Sequence, residues 1–186
     1  AMPDITFSIL HISQSNKENA KFRYDLPDNV IAMVNISLHD YILHENKTPG
    51  KHNKKDALKD IYKFHKDLKA GSIKKFPDLY KHLCSDSDRS LNTKEIVESK
   101  DTWDIVLKLY QEHGRNSSFI DYFWTWRFMH LPMFQILNGE IPDATVYHAV
   151  STGYAGLIGV VAKMKKEAPL LLTEHGIYTK ERFIEI

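Results

Sequence analysis

The stretch from Ala144 to Thr173 constrains the fold more than any other part of this 186-residue chain. Ala144 to Val150 (ATVYHAV) reads as a strand, and Pro169 to Thr173 (PLLLT) reads as another. Between them, Ser151 to about Lys166 forms a helix carrying Leu157, Val160, Val161 and Met164 on one side. Strand, helix and strand so close together make a βαβ unit, which is right-handed and parallel in nearly all cases. The near-continuous apolar runs Ile5 to Ile12 (ITFSILHI) and Asn29 to Leu38 (NVIAMVNISL) fit the same scheme. They read as strands covered on both faces, as in a parallel sheet. The predicted fold class is therefore α/β: a Rossmann-like, mostly parallel sheet flanked by helices.

A helical middle, about residues 53–138, is expected as an insertion in a single α/β domain spanning 3–186. Leu58, Ile61, Tyr62, His65 and Leu68 mark one face of a helix from about Asp56 to Ala70, which Gly71 stops. Phe76, Leu79, Tyr80 and Leu83 mark a second, shorter helix. Trp103, Val106, Leu107 and Tyr110 mark a third, opened by Asp101 with Asp104 three residues on. Ser118 and Asp121 open a fourth, Phe119 to Leu137, which is apolar nearly all round and predicted to be deeply buried. Pro132 is expected to kink or split it, and Asn138-Gly139 to end it.

Composition excludes several classes. With 25 basic and 24 acidic residues the net charge is +1, and only five of the basic residues are arginines (Arg23, Arg89, Arg115, Arg127, Arg182). Nucleic-acid binding leans on arginine and on a strong positive balance, so it is not expected. The single cysteine, Cys84, allows no internal disulfide and no cysteine-based zinc motif. The most apolar stretch, Tyr154 to Ala162, is far short of the roughly 20 residues that span a bilayer. A cytoplasmic location is the expectation. Eleven lysines against five acids between residues 45 and 81 read as a solvated helix surface.

In an open parallel sheet, ligands bind beyond the carboxyl ends of the strands. His148 lies near one such end, where Ser151-Thr152-Gly153 open a helix with small residues and backbone N–H groups suited to an anion. Glu174-His175-Gly176 close the next strand, followed by Tyr178, Lys180, Glu181 and Arg182. These residues form the candidate site for a hydroxylated or phosphorylated ligand. Each also has a plain reading: Ser151 as a helix N-cap, His148 as a structural residue, His175-Gly176 as a turn, and Trp124, Trp126 and Arg127 as core.

Three segments carry a resemblance. SSFIDYFWTWRFMHLPMFQIL (Ser117 to Leu137), DATVYHAVSTGYAGLIG (Asp143 to Gly159) and PLLLTEHGIYTKERFIEI (Pro169 to Ile186) closely resemble the N-terminal domain of the PelF-like bacterial exopolysaccharide glycosyltransferases of family four. The resemblance implies half of a GT-B enzyme, in which the N-terminal domain holds the sugar or polysaccharide acceptor. A C-terminal domain binds the nucleotide sugar, typically linked to uridine diphosphate. His148 looks like the family's cleft-lining histidine, His175 like the histidine beside the transferred sugar, and Arg182 like a basic residue near the donor phosphates. Glu174 and Tyr178 fall in the same motif. Relative to the family pattern, this sequence does not include the first strand with its glycine-rich loop, nor the nucleotide-sugar domain. The chain alone is therefore expected to be inactive, to hold no cofactor or metal, and to leave two strand edges unpaired. Either those two strands close up and pair directly, or a second copy supplies the partner; a homodimer is the expectation. A free-standing α/β domain for a phosphorylated ligand, resting on Ser151 to Gly153, stays open, as does an interaction module using the lysine-rich helices.

Overall fold

The computed structural model describes residues 4–14, 25–39, 54–83, 96, 98–114 and 117–176. Tyr178, Lys180, Glu181 and Arg182, and likewise Cys84, lie outside the described residues. The chain divides into two compact units, one of residues 1–37 with 140–186 and one of residues 38–139. The fold is mixed α/β, with short parallel strands and helices.

The first unit contains strands β1 (Phe7–Ser13) and β2 (Val30–Ser37), paired in parallel from Phe7↔Val30 to Ser13↔Ser37 with an irregularity after Phe7. It also contains the expected strand–helix–strand unit. Strand β3 (Tyr147–Ala149) and strand β4 (Leu170–Leu172) pair in parallel, with His148 opposite Leu171. The helix between them, which we label α5 (Tyr154–Lys166) in chain order, packs on both strands. Both β3 and β4 are shorter than the sequence predicts. A Cβ on Gly159 would fall 2.7 Å from Leu170 Cδ1 and 3.3 Å from the Ala149 Cβ, so a bare glycine lets α5 lie close to the strands.

Two expectations for this unit need correction. The buried stripe of α5 is Ile158, Gly159, Val161 and Ala162, while Val160 is exposed. Strands β1 and β2 are not covered on both faces. They alternate, with Ser8, Leu10 and Ile12 half-buried and Phe7, Ile9, Ile31 and Met33 exposed. Apolar character in a strand reports what it can bury, not what covers it. Of the two outcomes left open for β1 and β3, direct pairing is not observed: among the described residues the strands form two separate two-stranded sheets.

The second unit is helical. Helix α1 (Lys54–Lys69) packs on α2 (Phe76–Leu83) and α3 (Lys100–His113), and α4 (Phe119–Leu137) packs on α2 and α3. Gly71 follows α1 with φ +75, a left-handed conformation that stops the helix at little cost. The core is built from Ile61, Leu83, Ile96, Val106, Leu109, Ile136 and Leu137, each almost fully buried. Burying one such side chain contributes about 1.5–3 kcal/mol.

The helix faces differ from the predicted ones in detail. On α1, Ala57 and Phe64 join Leu58 and Ile61 in the core, and Leu68 is exposed. On α3, Thr102, Val106 and Leu109 are buried and Trp103 is half exposed. The cap of α3 is Ser99, whose Oγ accepts from Thr102 N at 3.2 Å; the predicted Asp101 start falls inside the first turn. Helix α4 has the expected bounds, with Ser118 Oγ accepting from Asp121 N at 3.1 Å and Asn138 as its C-cap. It runs unbroken through Pro132 and is not buried all round. Ile120, Trp124, Phe128 and Met129 are exposed, whereas Leu131 to Leu137 hold most of its core contacts.

Candidate functional site

Parallel pairing sends the segments after β3 and β4 out at the same edge. Thr173 N donates to Ala149 O at 2.9 Å, which extends the pairing one residue past β4. Across that edge the His148 Nε2 lies 2.7 Å from Thr173 Oγ1. His148 is exposed, so its ring is tethered by one hydroxyl while the rest stays open to a ligand. Glu174 and His175 follow directly and are also exposed. The structure thus brings His148, Thr173, Glu174 and His175 to one edge of the β3–β4 pair. Sequence reading missed Thr173, because its partnership with His148 depends on strand register across 25 residues.

The helix start at this edge is built differently from the expectation. Gly153, not Ser151, is the N-cap of α5, and no side chain caps the helix. Gly153 has φ 75 and ψ −135, a conformation open essentially to glycine alone. Ser151 is exposed and Thr152 half-buried, both ahead of the cap. With no side-chain hydrogen bond capping the first turn, the N–H groups of Tyr154 to Gly156 keep the partial positive charge of a helix N-terminus for an incoming anion or hydroxyl.

Beside this edge a cleft of about 160 Å³ lies between β1 and β3. Ser8, Leu10 and Ile12 line one side, Val146, His148 and Val150 the other, and α5 contributes Ile158 and Gly159. His148 therefore belongs both to the edge and to this cleft. The cleft rests on a firm flank. The Tyr147 hydroxyl donates to Pro142 O at 2.8 Å, and burial raises its pKa above the usual phenol value. Lys166 Nζ sits 2.6 Å from Asp143 Oδ1, and this hydrogen bond holds the Asp143 carboxyl below its ordinary range.

The helical unit holds a second polar feature that sequence reading missed. His65 of α1 and His130 of α4 meet with their Nε2 atoms 2.5 Å apart. Each ring's Nδ1 donates to the carbonyl one turn back, His65 to Ile61 at 2.7 Å and His130 to Trp126 at 2.6 Å. The His130 ring stacks on Trp126 at 4.4 Å between centroids. Burial lowers the pKa of both histidines, that of His130 to about 3. Among the described residues no group of three or more histidines, cysteines or carboxylates is arranged to hold a metal ion, and no helix is long and apolar enough to cross a membrane.

Fold and site together define a mixed α/β protein whose parallel strands end in a histidine-bearing edge next to an uncapped helix start. Over residues 1–186 the chain belongs to the family described as Domain of unknown function (DUF3492). Neither the curated proteins nor the solved structures contain a match to it.

Proposed function

We propose that this chain is the acceptor-side, Rossmann-like N-terminal domain of a PelF-like, family-four glycosyltransferase of exopolysaccharide synthesis. The observation that supports the reading is the parallel pairing of β3 and β4, with His148 in contact with Thr173 and with Glu174 and His175 next along the chain. The edge at the carboxyl ends of parallel strands is where open α/β folds bind ligands. The motifs at that edge, DATVYHAVSTGYAG and LLTEHG, are the ones that resemble the glycosyltransferase family.

On this reading an acceptor sugar lies across the edge, hydrogen-bonded by the imidazoles of His148 and His175 and by the Glu174 carboxylate. His175 orients the reacting hydroxyl, and the uncapped α5 start stabilises charge that develops on the leaving phosphate. Arg182 adds a cation to that task. The nucleotide-sugar donor, linked to uridine diphosphate, is held mainly by a second domain that the resemblance places after this one.

Calorimetry on the isolated chain tests the division of labour. The expected result is no micromolar binding of a uridine diphosphate sugar. Micromolar affinity here would overturn the acceptor-side assignment and favour a free-standing domain for a phosphorylated ligand.

A further inference from the structure

The helical unit contains a cleft of about 260 Å³ between the start of α3 and the first half of α4. Trp103, Phe123 and Trp126 supply its aromatic walls, and Lys100, Arg127 and Glu98 stand around it. Three features distinguish it from an ordinary surface groove.

First, Trp103 is 46% exposed yet firmly placed. Its ring meets Phe119 edge-on at 5.2 Å and Phe123 at 5.2 Å between centroids. An aromatic ring held by two others and still open to solvent is a stacking platform, since it binds with little further loss of freedom. Second, Trp126 is only 6% exposed, and its indole N–H is buried without a hydrogen-bond partner among the described residues. Indole N–H groups usually find an acceptor, and leaving one unpaired costs about 1–3 kcal/mol. Trp126 itself lines the cleft. His130 stacks on the same indole and holds it in place. Third, the polar lining holds two cations, Lys100 and Arg127, against one carboxylate, Glu98, next to the N-terminus of the 14-residue helix α3. A guanidinium carries five N–H donors in a planar fork that matches a carboxylate in shape.

An exposed ring platform, a buried donor and a carboxylate-seeking rim together call for a ligand with a flat C–H face, hydroxyl oxygens and a negative charge. We propose that this cleft binds one ring of an acidic saccharide, with the pyranose face on Trp103 and the carboxylate toward Lys100 and Arg127. The choice of a sugar over another ring-bearing anion rests on the proposed function; the existence of the site rests on the cleft alone.

The test is a titration of the ¹⁵N-labelled chain with a tetrasaccharide of glucuronic acid, followed through the indole N–H resonances. Trp103 and Trp126 are expected to shift saturably, while Trp124, which is exposed and does not line the cleft, stays in place. Trp103→Ala should weaken binding at least tenfold. Arg127→Gln or Lys100→Gln should weaken the acidic oligomer severalfold and leave a neutral glucose tetrasaccharide within twofold. Far-UV circular dichroism checks that each variant folds. Absence of any shift at 10 mM ligand, or unchanged affinity in Trp103→Ala, overturns the site. Binding of benzoate in preference to both saccharides overturns the sugar class alone. Sugar transfer is read by a separate assay, so its failure is distinguishable from failure at this cleft.

Discussion

The His65–His130 pair makes the stability of the helical unit depend on pH in a direction that can be worked out. Burial holds the folded-state value of His130 at about 3, against 6.5 for an ordinary histidine, and lowers His65 as well. A group whose folded value is depressed favours folding above its unfolded value and opposes it as the pH falls toward the folded value. Each tenfold mismatch in proton affinity is worth about 1.36 kcal/mol, so His130 alone removes about 3 kcal/mol between pH 7 and pH 4. Whole domains are stable by only about 5–15 kcal/mol, which makes the loss large enough to measure. The assay is urea unfolding followed by far-UV circular dichroism at pH 7, 5.5 and 4. Other histidines and carboxylates titrate over the same range, so the control is the double variant His65→Leu with His130→Phe, which keeps a ring against Trp126. The wild-type chain should lose about 3 kcal/mol more than the double variant on acidification. An equal or smaller loss would refute the reasoning, because it would mean that the close Nε2 contact takes up a shared proton readily instead of excluding one.

Two further predictions separate the predicted site from the observed one. Ser151→Ala should change stability by less than about 0.5 kcal/mol in thermal or urea unfolding, because Ser151 is exposed and caps nothing. Gly153→Ala should cost about 1–3 kcal/mol, since φ 75 with ψ −135 is closed to a residue with a Cβ; the opposite ranking would restore the serine cap. Among the described residues β1 and β3 each pair on one side only, which leads us to expect a homodimer, with another chain supplying edge pairing. Light scattering at high protein concentration checks this, and a clean monomer contradicts it.

Local signals fared best where one short segment decides the outcome. Helix α4 has the bounds that Ser118, Asp121 and Asn138 announce, because caps act within a few residues of chain. The parallel β3–α5–β4 unit is equally legible, since a crossover of that length leaves few alternatives. Where several polar residues compete, the sequence underdetermines the cap: Ser99 displaced Asp101 at α3, and Gly153 displaced Ser151 at α5. Cover is less legible still. Phe7, Ile9, Ile31 and Met33 read as interior residues of a two-sided sheet, yet they are exposed, since pattern does not specify what packs against a face.

The site divides along the same line. Strand ends alone placed His148, Glu174 and His175 at one edge; the described structure shows the parallel pairing and the His148–Thr173 contact, with Glu174 and His175 following Thr173 in the chain. The partners that tune the polar groups lie far away in sequence: Thr173 is 25 residues from His148, and His130 is 65 from His65. No spacing rule reaches across such distances, because helix and strand periods lose register in the intervening turns.

The central claim is that the β3–β4 edge is the acceptor side of a sugar-transferring enzyme. Its most direct test uses the full-length gene product, with labelled uridine diphosphate hexoses as donors and polysaccharide fragments as acceptors. The account predicts sugar transfer, with turnover reduced at least tenfold by His175→Ala and little change in melting temperature, since His175 is exposed and packs little. No transfer from any of the nucleotide sugars, or full turnover in His175→Ala, would contradict it.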